Sequence, residues 1–88
     1  MTLNEEVKIN EIIIQVLCKQ LGLEEDDVSL EKTLTNDLGA DSLDMVEMGF
    51  ELEEKLMIND GTHFHDNLNF NCTVKELIEY TLGRVNNK

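Results

Sequence analysis

Few side chains in this 88-residue sequence could do chemistry, and they fall into two groups. The first is Ser42, set between Asp41 and Leu43 and preceded by Leu38-Gly39-Ala40. A serine where a helix begins can be an ordinary cap, its hydroxyl accepting a backbone N–H of the first turn. The same position has a second use. First-turn N–H groups and the positive end of the helix dipole stabilise an attached phosphate, and the small residues before Ser42 keep bulk away from its hydroxyl, so Ser42 is placed to carry a phosphoryl group. The second group is His63, His65, Asp66 and Cys72, potential metal ligands inside one loop. Zinc sites usually show a paired Cys or His signature at both ends, which this loop lacks, so ordinary loop histidines are expected. A hydrolase pairing Ser42 with one of these histidines would need the strand-turn-helix context of a nucleophile elbow, and that context is missing.

Positioning Ser42 is work for helices. Thr2 and Glu5 form a candidate capping box, Val7, Ile9, Ile13, Val16, Leu17 and Leu21 follow at helical spacing, and Gly22 closes the pattern. The spacing predicts a first helix over about Leu3 to Leu21. An acidic cluster, Glu24 to Asp27, opens a long connection in which Val28, Leu30, Leu34 and Leu38 are spaced apolar residues that can tether it to a core. The second helix should start near Asp41, which can cap the first turn with Asp44 adding favourable charge, and should end near Met57. Asn59 to Cys72 is rich in Asn, Asp and Gly and reads as loop with at most a short helical turn. Thr73 and Glu76 repeat the capping pattern ahead of Val74, Leu77, Ile78 and Leu82, with Gly83 as the stop. Sustained β-branched alternation is absent, so the expected fold is all-α, three main helices in a bundle forming one domain over residues 1–88.

On the second helix the apolar residues form two stripes rather than one. At 100° per residue, with Leu43 at zero, Met45, Met48, Gly49, Leu52 and Leu56 span about 140° to 240° and should face the core. Leu43, Val46 and Phe50 fall at about 300° to 0°, flanked by Glu47 and Glu54. This second stripe either packs under the long connection or is an exposed patch framed by acids, the mark of a protein contact. Helix geometry alone leaves both open.

Composition narrows the partners. Seven Lys and Arg against nineteen Asp and Glu leave a net charge of −12, a field that repels nucleic acid and anionic membranes and attracts basic proteins and cations. A chain this short buries only about 60 to 65% of its unfolded surface, which leaves little room for an internal catalytic machine. The hydrophobic fraction of 41% suffices for folding, while the one-sided charge pushes the compact state apart, so modest stability is expected. Cys18 and Cys72 lie far apart without a disulfide-scaffold pattern and read as buried free thiols of a reducing compartment. The opening MTLNEEV carries acids where a signal peptide carries positive charge, and the apolar run Ile12 to Ile14 is too short to span a bilayer, so a cytoplasmic protein is expected. An EF-hand was tested by spacing: Gly39, Gly49 or Gly61 at the sixth loop position puts Leu34, Asp44 or Leu56 at the first, and the Asp44 register has Val46 at the third. No register works, although the acidic clusters would still draw divalent cations weakly.

Asp37-Leu38-Gly39-Ala40-Asp41-Ser42-Leu43-Asp44, followed by Val46-Glu47 and Leu52-Glu53-Glu54, resembles the acyl carrier proteins of dissociated fatty acid synthesis. The similarity extends to Gln20-Leu21-Gly22 and to Thr73-Val74 with Ile78-Glu79-Tyr80, and so covers most of the chain. The resemblance implies a four-helix bundle whose short third helix lies in the 58–72 connection. It also implies a 4′-phosphopantetheine arm on Ser42, added from coenzyme A by a phosphopantetheinyl transferase with Mg²⁺, whose thiol holds growing acyl chains as thioesters. The carrier itself would be no enzyme and would act as a monomer. Asp41, Asp44, Glu47, Glu53 and Glu54 match the acids that basic docking patches of partner enzymes recognise, and Leu43, Val46 and Phe50 match the exposed apolar contacts beside them. Two features depart from the family: Gly49 replaces a larger aliphatic residue, and Ile58 to Asn71 is longer and lacks the usual acidic-plus-proline pattern. Polyketide or aminoacyl carriers would share the serine, and an unmodified acidic adaptor would use the same helix face without an arm.

Overall fold

The computed structural model describes residues 3–58, 61, 63–67, 69 and 71–86, with the side chains of 3–6, 65, 67 and 86 left aside. Among the described residues four helices follow one another: α1 (Leu3–Leu21), α2 (Ser42–Lys55), the single-turn α3 (Phe64–Asn67) and α4 (Val74–Asn86). A 3-10 turn over Glu25–Asp27 lies between α1 and α2. The described residues contain no strand, only an isolated antiparallel bridge between Thr33 and Thr73. The all-α fold expected from the sequence is therefore present. The candidate capping box of Thr2 and Glu5 lies outside the described side chains.

The helices stop where local chemistry dictates. Gly22 takes a φ of 68° and the Leu23 N–H reaches back to the Cys18 carbonyl at 3.0 Å, which satisfies an otherwise orphaned carbonyl of α1. The end of α2 uses the same geometry without glycine: Met57 has a φ of 57°, its N–H bonds the Glu54 carbonyl at 3.2 Å, and the Ile58 N–H bonds the Glu53 carbonyl at 2.8 Å. At the head of α4, Thr73 and Glu76 cap each other as expected, the Glu76 N–H meeting Thr73 Oγ1 at 3.1 Å and the Thr73 N–H meeting Glu76 Oε1 at 2.9 Å.

Gly83 does not end α4. The helix runs on to Asn86, because Val85 still packs on the core and the Arg84 guanidinium lies 5.0 Å from the Phe64 ring centroid and 5.9 Å from that of Tyr80. Those contacts outweigh the modest preference of glycine for leaving a helix.

The core is one cluster in which α1 supplies Ile9, Ile13, Val16 and Leu17, α2 supplies Met45, Met48 and Leu52, and α4 supplies Val74, Leu77 and Ile78. Phe64 of α3 and Ile58 and Cys72 close it from the side. Thr81 is buried on α4 and spends its hydroxyl on the Leu77 carbonyl at 2.7 Å. From the long connection Leu34 and Leu38 are buried and Val28 is partly so, whereas Leu30 points outward. The connection is tied chiefly by backbone: the Leu34 N–H bonds the Cys72 carbonyl at 2.9 Å, the Val74 N–H bonds Lys32 at 2.9 Å, and the Lys75 N–H bonds Leu30 at 3.0 Å.

Candidate functional site

Ser42 owes its placement to the turn before it. Thr33 and Asp37 close that turn on each other, the Thr33 N–H meeting Asp37 Oδ2 at 2.9 Å and the Asp37 N–H meeting Thr33 Oγ1 at 3.1 Å. The Ala40 N–H then bonds the Leu34 carbonyl at 2.9 Å, with Ala40 buried and Gly39 at a φ of 81° that a side chain would strain. One residue after this buried anchor the chain surfaces, so Asp41, Ser42 and Leu43 are exposed at the first turn of α2. The cap belongs to Asp41: its Oδ1 accepts the Asp44 N–H at 2.8 Å, and Asp44 Oδ2 accepts the Asp41 N–H at 3.2 Å. The cap is thus Asp41, as the sequence suggests, and not the alternative of a cap serine at Ser42. Its hydroxyl stands in solvent at the positive end of a 14-residue helix.

Behind the serine, Gln20 at the end of α1 donates from Nε2 to Asp44 Oδ1 at 3.1 Å and to Glu47 Oε1 at 2.6 Å. This bridge, followed by the bonds within the capping box, holds the Asp44 carboxyl below the usual carboxylate range. In the sequence Gln20 stands out only within the Gln20-Leu21-Gly22 run; a polar residue in the last turn of a helix was the available signal.

The outer stripe of α2 is open to solvent, which settles the alternative left by helix geometry. Leu43 is 64% exposed and Phe50 48%, with Val46 half-buried between them, while Met45, Met48, Gly49 and Leu52 face the core. The long connection binds the head of α4 instead. Glu47 and Glu54 are exposed beside the strip, and Asp44 is half-exposed above them. Glu53 departs from the expected acidic surface. It is 8% exposed, and its carboxylate accepts the Phe64 N–H at 2.9 Å and lies 2.9 Å from His63 Nδ1. The cause is angular: at about 280° on the helix Glu53 sits at the margin of the core stripe, away from Glu47 and Glu54 at about 20° to 40°. Glu51, unremarked in the sequence, pairs instead with Lys19 at 3.3 Å and Lys55 at 4.0 Å, an exposed network of small energetic weight.

Of the loop residues weighed as metal ligands, the His65 side chain lies outside those described. His63 engages Glu53, Asp66 is exposed, and Cys72 is buried with its thiol pushed up to about 11 by desolvation. Among the described residues no three His, Cys, Asp or Glu side chains could hold a metal ion.

Residues 11–81 match the family model described as the phosphopantetheine attachment site, a span that holds Ser42, the acids and the whole outer strip. The chain belongs to that family of carrier proteins. It is 34% identical over 73 residues to an acyl carrier protein of Cyanidium caldarium, covering 83% of this chain and 81% of that relative. A member of this family is a carrier rather than a catalyst, and its covalent cofactor is 4′-phosphopantetheine. The first turn of α2 fits such a group. Attachment consumes a hydroxyl, and here an exposed hydroxyl is spared because a neighbouring carboxylate does the capping. No described helix is long and apolar enough to cross a membrane.

Proposed function

We propose that Ser42 is the residue that carries 4′-phosphopantetheine, and that the chain presents growing acyl groups on the arm's thiol to enzymes of fatty acid synthesis. The observation that supports this most is the exposed serine at the head of α2 with its capping bonds supplied by Asp41. In the transfer, the Ser42 Oγ attacks the β-phosphorus of coenzyme A, the bond to the α-phosphate side breaks, and the adenosine bisphosphate half leaves with that bridging oxygen. The hydroxyl proton passes to a base on the transferase, since Asp41 and Asp44 already accept N–H groups of the helix cap and Asp44 a further one from Gln20. The phosphodiester then rests at the positive end of the α2 dipole, which stabilises its charge.

Fatty acid rather than polyketide or aminoacyl cargo is favoured by the acidic outer face. Asp41, Asp44, Glu47 and Glu54 frame Leu43, Val46 and Phe50, a surface suited to a basic patch with an apolar seat. The test of the central claim is chemical. The apo protein is incubated with coenzyme A, Mg²⁺ and a phosphopantetheinyl transferase, its intact mass is measured, and the adduct is mapped to a peptide. One adduct on Ser42 is expected, and none on Ser42→Ala; a Ser42→Ala chain that still gains the full adduct would falsify the assignment. An absence of any adduct on the wild-type chain would favour the unmodified adaptor.

A further inference from the structure

His63 joins the buried Glu53 to the exposed strip of α2. Its ring stands edge-on to Phe50, with centroids 5.2 Å apart and planes at 89°, and its side chain is 43% exposed. Nδ1 lies 2.9 Å from Glu53 Oε1. An ionised carboxylate only accepts, so Nδ1 carries a hydrogen whether the ring is neutral or charged. The other Glu53 oxygen takes the Phe64 N–H at 2.9 Å, and Phe64, 2% exposed, packs edge-on against Tyr80 at 5.2 Å. A line of contacts therefore runs from the core through Phe64 and Glu53 to His63, and from His63 to the surface at Phe50. A carboxylate buried as deeply as that of Glu53 is held by its hydrogen-bond partners, because losing one leaves a costly unsatisfied oxygen. That constraint fixes the plane of the His63 ring.

We infer that His63 is a specificity-determining residue of the docking surface. Clamped by Glu53, its ring holds the Phe50 ring in the orientation that a partner meets and forms the α3-side rim of the apolar strip, with Glu53 as the positioning residue. The inference rests on the proposed role of the outer α2 face. It makes the two rims chemically unlike: carboxylates of Glu47 and Glu54 on one side, an imidazole over a buried, hydrogen-bonded carboxylate on the other. The partner that fits is a protein with basic side chains along one edge of its apolar seat and none required along the opposite edge.

The brace acts by preorganisation. Without the His63 contact the Phe50 ring is less restricted, and ordering one such side chain on binding weakens affinity by about two- to tenfold. The test is a double-mutant cycle on the full chain, with Kd measured for a phosphopantetheinyl transferase in the absence of coenzyme A. His63→Ala should raise Kd by about two- to tenfold, and should add nothing in a Phe50→Ala background, a non-additivity that general loosening of the fold would not produce. Additive effects, or an unchanged Kd for His63→Ala while Phe50→Ala weakens binding, would overturn the brace and leave the docking face standing. An unchanged Kd for Phe50→Ala would remove the docking face itself, and the brace with it. Should His63→Ala lose helical circular dichroism, His63→Gln keeps an N–H for Glu53 while removing the ring, and the same pattern of Kd values decides.

Discussion

Gln20 and Asp44 tie the last turn of α1 to the first turn of α2: the Gln20 amide donates to Asp44 Oδ1 at 3.1 Å, on the carboxylate whose second oxygen caps the Asp41 N–H. The helix that bears Ser42 is thus fixed at its head from two directions, by its own capping box and by a neighbouring helix.

The pH dependence of this tie has a definite sign. The Asp44 carboxyl is lowered in the fold by the Gln20 bond first and the Asp41 bonds after it, against an unfolded value of about 3.9. Its stabilising contribution is present above that unfolded value and is lost as pH falls through the lower folded one. Gln20→Ala should move the Asp44 midpoint back toward the ordinary range and erode stability at neutral pH, with the gap from wild type closing in strong acid. Carboxyl NMR titration with urea unfolding at several pH values reads both; an Asp44 midpoint that is the same in wild type and variant would remove Gln20 as the cause.

Asp41 caps α2 and the adjacent Ser42 does not, a division that unfolding experiments can check. Asp41→Ala should cost about 0.5 to 2 kcal/mol through loss of the α2 cap. Ser42→Ala should stay within about 0.5 kcal/mol of wild type, as an exposed position does. Equal losses for the two variants would mean that Ser42 shares the cap.

Two backbone positions carry residues that are not the best available. Gly83 lies inside α4, and a Cβ there meets nothing within 4 Å, so Gly83→Ala should stabilise by about 0.4 to 1 kcal/mol. Met57 is 78% exposed at a φ of 57°, so Met57→Gly should relieve strain of about 1 kcal/mol. Denaturation midpoints measure both. Destabilisation by Gly83→Ala would mean that α4 bends at that point in solution.

Docking kinetics should split by chemistry. Reversing Glu47 and Glu54 to Lys should slow association and flatten its salt dependence, because these acids steer a basic partner. Phe50→Ala should instead accelerate dissociation by removing buried apolar contact. Both variants leave the core side of α2 untouched, which circular dichroism confirms before rates are compared. Unaltered rates for folded variants of both kinds would move the partner surface off α2.

What could be read from the sequence was what local chemistry decides. The Asp41–Asp44 and Thr73–Glu76 boxes and the Gly22 stop depend on residues three to five apart, so the starts of α2 and α4 and the end of α1 follow from local sequence. Helical periodicity separated the two stripes of α2 and gave one to the core, but could not say whether the other was covered, since that depends on where the long connection goes. Its Leu34 and Lys32 pair with Cys72 and Val74, far along the chain. The burial of Glu53 was illegible for the same reason: the partners that bury it, His63 and Phe64, sit in a segment without periodic pattern. Gly83 looked like a stop because glycine often is one, and only the rings under Arg84 show why the helix continues.

The stitching of Lys32 and Leu34 to Val74 and Cys72 also orders events during synthesis. The turn that lifts Ser42 into solvent is anchored by backbone that leaves the ribosome well after the serine itself. Closing such a distant pair is slow compared with winding a helix. Until the head of α4 has been made and docked, the turn before Ser42 has only its own local bonds, so the presentation of the serine depends on residues far downstream of it.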